Sequence, residues 1–385
     1  MAGMLRSSEK ILTTHTGSLP RPEPLRQLLI DREEGKPVDE TAFVRAVTSG
    51  VTDVVDQQIR VGIDVVNDGE LSKFSYSMYA KERLTGLEGQ GGTRRHSRDV
   101  EEFPTFAARS KGRWQVTVCD GPVTVKDAKP LEADLRNFAQ AVAANKPART
   151  FLTAASPGVI ASFIHNRYYP SHEAYIRALG AAMRPEYEAI VAAGFDLQID
   201  CPDLASARNN TYRDDTEEEW RKKQALAVDV LNEITANIPP ERMRMHLCWG
   251  NFEGPHHRDV PLEDVLPVAL RARPHAVSFE GANPRHEHEW TVFRNLRIPE
   301  GKTIIPGVID STTNFIEHPE LVAQRIERYA GLVGREHVVA GVDCGFATSA
   351  TASTVDPAIA WAKLAALVEG AAIASRRLWN GKTSL

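Results

Sequence analysis

Short β-rich apolar runs alternate with longer stretches of helical periodicity along the whole chain, and this alternation constrains the fold more than any single motif. The eight runs are Ile11 to His15, Asp64 to Asp68, Thr150 to Ala154, Asp196 to Asp200, Met243 to Cys248, Ala276 to Glu280, Thr303 to Ile309 and Val338 to Asp343. Val44, Val47, Val51, Val54 and Val55 precede the second run at helical spacing, as Val322, Ile326, Tyr329 and Val333 precede the eighth. Strand and helix repeated in this order predict an α/β protein, a closed parallel (β/α)8 TIM barrel rather than an open doubly wound sheet. No Gly-x-Gly-x-x-Gly opens a helix after the first run, which weakens a dinucleotide-binding reading. One stretch departs from the pattern. Residues from about 86 to 147 hold a Gly- and Arg-rich loop, then Trp114 to Val125 with alternating character and Gly121-Pro122, which reads as a hairpin insertion between strands two and three. The expectation is one barrel domain over residues 1–385 with that excursion.

Barrels of this class build their active site where the strands end. Polar residues cluster there. The first run ends in His15-Thr16-Gly17-Ser18, the second in Asn67-Asp68-Gly69-Glu70, the fourth in Asp200-Cys201-Pro202-Asp203 and the seventh in Asp310-Ser311-Thr312. The fifth, sixth and eighth end in His246-Leu247-Cys248, Glu280 and Cys344. Two thiolates, an imidazole and a carboxylate are donors that Zn2+ accepts, and residues two apart on a strand share a face, so His246 and Cys248 can converge on one ion with Glu280 and Cys344. The competing reading is two buried core cysteines and a satisfied core histidine.

So anionic a ligand set favours holding a substrate thiol as the reactive thiolate over activating water. Glu70 and Asp200 at neighbouring places of the mouth suit a substrate ammonium, and Gly17 and Ser18, on a tight turn with backbone N–H groups, suit a carboxylate. Helix-starting and capping roles are the plain alternatives for Glu70 and Asp200. Together the groups fit a thiol bearing an amine and a carboxylate, such as homocysteine. Glu70, Asp200 and Asp310 form the catalytic candidates. Asn283 and Arg285, in Asn283-Pro284-Arg285-His286, are candidate contacts to an anionic donor, and His165 to Tyr169 a candidate lid. His256 and His257 read as a solvent-facing pair, Cys201 as a small pocket-lining residue.

Composition sets the outer bounds. With 42% hydrophobic and 25% charged residues and a net charge of −5, the chain reads as an ordinary globular protein with no electrostatic reason to bind nucleic acid. Arg94 to Arg98 reads as a solvated loop. No signal peptide and no run of about 18 apolar residues are seen, so a cytoplasmic protein without a membrane span is expected. Four cysteines in 385 residues make no disulfide framework and point to metal or catalytic use.

The succession Thr14-His15-Thr16-Gly17-Ser18-Leu19-Pro20, Asn67-Asp68-Gly69-Glu70, Gln198-Ile199-Asp200, His246-Leu247-Cys248, Phe279-Glu280 and Asp343-Cys344-Gly345 resembles the catalytic C-terminal barrel of the cobalamin-independent methionine synthase family. The resemblance runs nearly end to end. It implies a zinc-dependent S-methyltransferase, with His246, Cys248, Glu280 and Cys344 as metal ligands, Ser18 on the substrate carboxylate, and Glu70 and Asp200 on its ammonium. It also shows departures. The family's Trp that stacks on the pterin follows the third strand, where this chain reads Ile160-Ala161-Ser162-Phe163, and Ile-Asp-Glu-Pro becomes Ile199-Asp200-Cys201-Pro202. The family's Asp-Ile-His, whose His protonates the leaving group, reads Asp310-Ser311-Thr312. Three readings stay open: methyl transfer to homocysteine from folate or a methylcorrinoid protein, thiol alkylation by an epoxide as in epoxyalkane:coenzyme M transferase, and a non-catalytic barrel with structural zinc.

Overall fold

Seven of the eight runs become strands of one parallel sheet. The computed structural model describes residues 4–76, 78–93, 95–109, 115–351 and 353–380. Among these the strands are β1 Val65–Val66, β2 Gly89–Thr93, β3 Gln115–Cys119, β4 Arg149–Ala155, β5 Ile164–Asn166, β6 Asp196–Asp200, β7 Met243–His246, β8 Ala276–Phe279, β9 Thr303–Ile309 and β10 Gly341–Val342. The main sheet runs β1-β4-β6-β7-β8-β9-β10, and every pairing in it is parallel. Helices connect these strands, as parallel neighbours require.

The first run behaves differently. It makes no extended strand, yet Thr13 bridges Ala340 and Thr14 bridges Val65, so one short segment touches both edges of the sheet. The Thr14 N–H donates to Ala340 O at 2.9 Å and the Val65 N–H to Thr13 O at 3.1 Å. Asp64 takes the Thr13 N–H at 2.9 Å, which diverts it from the ladder and keeps the run short.

The helix Glu40–Val61 shows how local sequence sets an element. Asp39 caps it by accepting the Thr41 and Ala42 N–H groups, and Gly62, at φ 99°, ends it in the left-handed region. Its core stripe is Phe43, Val47, Val51, Val54 and Val55. Val44, expected in that stripe, is 58% exposed because Phe43 occupies the inward position one residue earlier. The last helix, Pro357–Asn380, is long and apolar enough to cross a membrane by length and composition, although Lys363 and Glu369 interrupt it, so it is no unbroken apolar run. Here it packs on the helix Pro319–Val333 and buries Lys363, whose ammonium meets Glu317 at 2.9 Å.

The excursion holds a three-stranded sheet, β2-β3-β5. β3 pairs antiparallel with β2 and parallel with β5. The hairpin expected across Trp114 to Val125 is therefore replaced: β3 takes upstream and downstream partners, and Gly121-Pro122 leaves the sheet, where a proline could not donate to a ladder. Gly86 packs against the Gly121 backbone with no room for a side chain. Arg94 and Trp114 lie outside the described residues.

Candidate metal centre and substrate pocket

His246 ends β7, and beyond it the Leu247 N–H still donates to Ser278 O at 2.8 Å. The chain thus stays extended for two more residues, which puts Cys248 on the same side as His246. Cys344 arrives from beyond β10, where the Asp343 N–H holds to Ile309 O at 2.9 Å. The ligand atoms of His246, Cys248 and Cys344 all lie within 4.8 Å of one another, and all three residues are buried. The two sulfurs are 3.5 Å apart, and the Gly250 N–H donates to Cys248 Sγ at 3.3 Å.

Both ring nitrogens of His246 are buried and find no hydrogen-bond partner among the described residues. Orphaned buried donors and acceptors are costly, about 1–3 kcal/mol each, so their presence needs a reason. Burial, then the charge of Arg244, lowers the His246 pKa to about 3, so the ring is neutral and offers a lone pair. The hydrogen bond from Cys344, then burial, pushes the Cys248 thiol well above its ordinary value. Left to itself the Cys248 thiol stays protonated. A divalent cation that accepts nitrogen and sulfur would deprotonate it, satisfy His246 and keep a fourth position open for a ligand.

Glu280, the fourth ligand expected, is not among the residues whose ligand atoms all lie within 4.8 Å of one another. Its carboxylate stands outside the His-Cys-Cys group: Oε1 accepts the Trp249 N–H at 2.8 Å, and Oε2 accepts Asn283 Nδ2 at 2.7 Å and Arg285 Nη2 at 2.5 Å. Asn283 and Arg285, expected to meet a substrate, spend their groups on this cradle. Asn283 also bonds Asp343, and Arg285 reaches Asp259 at 3.0 Å. Asp343 receives the N–H groups of Gly281, Ala282 and Asn283 at 2.8 to 2.9 Å, which ties the residue before Cys344 to the loop after Glu280. Burial, then the charge of Glu280, raises the Asp343 pKa to about 7.

The second half of the pocket lies at the ends of β1, β4 and β6. Asn67 and Asp68 accept the N–H groups of Gly69 and Glu70, and this locks Glu70 at φ 56°, a region that side-chain-bearing residues rarely adopt. Such strain costs on the order of 1–3 kcal/mol and is tolerated where surroundings fix it. Glu70 Oε1 accepts Thr153 Oγ1 at 3.0 Å, while Oε2 is buried with no partner among the described residues. A side chain on Gly17 would strike that carboxylate, and one on Gly345 would strike Ser18 Oγ. Gly17 thus sits against Glu70, and Ser18 beside Cys344. Asp200 is held by Gln198 Nε2 at 2.8 Å; burial, then the charge of Glu70, lifts its pKa to about 8. Asp200 senses the Glu70 charge, and a cation between the two carboxyl groups would favour the charged form of Asp200.

Several residues escaped the sequence-level assignment. Arg21 clamps the carbonyls of Glu70, Lys73 and Ala347, joining the loops after β1 and β10 to the segment after the first run. Asn251 donates to Gly345 O at 2.7 Å and accepts Ser311 Oγ at 2.9 Å. Arg244 fills the interior, donating to Thr14 Oγ1 and His15 O at 2.8 Å each. A buried arginine within an apolar run was the available signal.

Asp310, expected among the catalytic groups, caps its own loop instead: Thr312 bonds Oδ1 at 2.8 Å, Thr313 bonds Oδ2 at 2.5 Å, and both residues' N–H groups add to the same oxygens. Cys201 is buried and turns its thiol to Ile199 O at 3.6 Å, apart from the metal group. The expected lid, His165 to Tyr169, is anchored through β5 and by Tyr169, whose hydroxyl accepts the Val123 N–H at 2.8 Å. His256, expected at the solvent, is buried; His257 is half exposed and meets Glu102 at 2.8 Å.

A parallel α/β sheet that gathers at its strand ends a buried His-Cys-Cys group able to hold a metal ion has the arrangement of an α/β enzyme. The chain belongs to the cobalamin-independent synthase family, catalytic domain, whose pattern matches residues 11–367. It is 26% identical over 373 residues to the methionine synthase of Sulfurisphaera tokodaii, covering 96% of this chain and 94% of that protein. It is 24% identical over 369 residues to that of Saccharolobus solfataricus, covering 95% of each. The fold is similar to a B12-independent methionine synthase from a Shewanella species in complex with selenomethionine, with a TM-score of 0.71, 19% identity and coverage of 96% and 99%. A putative vitamin-B12-independent methionine synthase from Listeria monocytogenes superposes with a TM-score of 0.64 at 18% identity, covering 94% of this chain and 98% of that one.

Proposed function

We propose that this chain is a single closed (β/α)8 barrel that uses zinc to transfer a methyl group to the thiolate of homocysteine. The observation that carries the reading is the convergence of His246, Cys248 and Cys344 with both His246 nitrogens unsatisfied. Family membership and the methionine synthases among its relatives support the same reaction. The parallel bridges of Thr13 and Thr14 to both sheet edges support closure of the barrel.

His246, Cys248 and Cys344 would hold the ion, which lowers the pKa of a bound thiol so that the thiolate is present at neutral pH. The remaining steps belong to the protein. The substrate ammonium lies between Glu70 Oε2 and Asp200, where it compensates two buried carboxylates that otherwise oppose each other. Gly17 keeps its backbone close to Glu70, and Ser18 Oγ, next to Cys344, meets the substrate carboxylate. Holding both ends of the amino acid fixes its sulfur toward the Cys248–Cys344 side, which converts an encounter into an oriented reaction. Trp249, Asn283 and Arg285 hold the Glu280 carboxylate, and Asp343 in turn holds Asn283.

Incubation of zinc-loaded protein with homocysteine and, in separate reactions, N5-methyltetrahydrofolate, methylcobalamin and a simple epoxide tests this reading. Methionine formed from a methyl donor supports it. Alkylation by the epoxide alone, or no alkylation of any thiol, overturns it.

A further inference from the structure

We propose that His256 is the proton donor of this site, and that the alkyl donor it serves departs through a nitrogen or oxygen atom. The inference rests on the alkyl-transfer reading above and adds to it an acid and a donor class.

His256 lies in the loop that follows Cys248, with its side chain only 3% exposed. Nδ1 stands 3.1 Å from Asp259 Oδ2, so the carboxylate orients the ring. Nε2 is buried and has no hydrogen-bond partner among the described residues. The ring lies against Phe252, with centroids 4.2 Å apart, and its Cε1 edge faces Gly250, where an added Cβ would come within 2.9 Å. Gly250 is the residue whose N–H bonds Cys248 Sγ. A histidine–carboxylate pair with an unused buried nitrogen thus packs against the residue that bonds Cys248 Sγ.

Other proton carriers nearby are committed. His286 uses Nδ1 on Glu289 and Nε2 on Asp259, at 2.7 and 3.3 Å. Asp310 and Asp343 have both oxygens filled. His15 packs against Phe151 and pairs Nε2 with Gln58 at 2.7 Å. Around a protonated His256, the cations His286 and Arg285 and the carboxylates Asp259, Glu289 and Glu280 balance in number, so its charge is not left bare.

The step balances as follows. The substrate thiol has already released its proton to solvent. The sulfur electron pair forms the S–C bond, the bond from carbon to nitrogen or oxygen breaks with its pair left on the heteroatom, and the Nε2 proton moves to that atom. His256 is left neutral and regains a proton from solvent. A nitrogen or alkoxide leaving group requires that proton; a cobalt or a sulfonium leaving group does not.

The test compares His256→Gln and His256→Asn with the wild type, using N5-methyltetrahydrofolate and an epoxide as proton-requiring donors and a trimethylsulfonium salt and methylcobalamin as donors that need none. Zinc content and homocysteine affinity, read by elemental analysis and calorimetry, are measured on the same samples. The expected result is a roughly 10²–10⁴-fold fall in the ratio of proton-requiring to proton-free transfer, with zinc and homocysteine still bound. Equal losses with both donor kinds, loss of zinc, or no loss at all overturns the role. A wild type that accepts only methylcobalamin or the sulfonium salt overturns the donor class, and one inert with every donor defeats the alkyl-transfer reading itself.

Discussion

The sulfurs of Cys248 and Cys344 sit 3.5 Å apart across 96 residues of chain, brought together by strands that end on opposite sides of β8 and β9. No local motif encloses them. The site is therefore preformed by the sheet, which separates metal binding from folding.

Replacing Cys248, Cys344 or His246 by alanine should remove zinc and transfer activity while leaving the far-ultraviolet circular dichroism of the wild type. Retention of stoichiometric zinc in a double Cys variant contradicts the assignment.

Glu280→Gln should act differently from those variants. Its carboxylate is one of two that pair with Arg285, so the substitution leaves the guanidinium to Asp259 alone and costs stability, about 2 kcal/mol for one lost charged hydrogen bond. Zinc should stay bound. Denaturant titration with metal analysis checks both outcomes, and zinc loss equal to that of Cys248→Ala would restore Glu280 to the ligand set.

Asp200 carries a pH dependence. Its pKa is raised from 3.8 to about 8 by burial and then by Glu70, so the folded chain keeps a proton that the unfolded chain gives up near pH 4. This group therefore lowers stability as pH rises through that window. Asp200→Asn should raise Tm over the wild type by an increment that grows from pH 5 to pH 8.5, while homocysteine affinity falls at least about tenfold, the loss of one charged contact. A pH-independent increment in scanning calorimetry would contradict the shift.

Gly17→Ala should spare zinc and damage thiol binding, since the new methyl group meets the Glu70 carboxylate and the Thr153 methyl group. A rise in KM for homocysteine of about tenfold or more, with unchanged metal content, is the expected outcome. Parallel loss of metal would place Gly17 elsewhere in the account.

Much of this was legible in the chain because the signals were periodic. β6 and β9 fall on their expected residues, and His246 and Cys248 share a face because strands alternate. What escaped depended on side-chain choices that spacing does not encode. Glu280 ends a strand as a ligand would, and its bonds to Trp249, Asn283 and Arg285 were not readable from spacing. Asp310 carries the right chemistry, yet two following threonines fold its loop around it. His256 follows two loop-forming residues, Gly254 and Pro255, and its burial arises from contact with Phe252 and Asp259, a tertiary fact.

X-ray absorption at the zinc edge tests the central claim most directly. Without substrate, the account predicts two sulfur neighbours and one nitrogen from the protein, with a light donor in the remaining position. Homocysteine should replace that donor with a third sulfur. A first shell that does not change when homocysteine binds, or protein that holds no metal after purification in zinc, would contradict it.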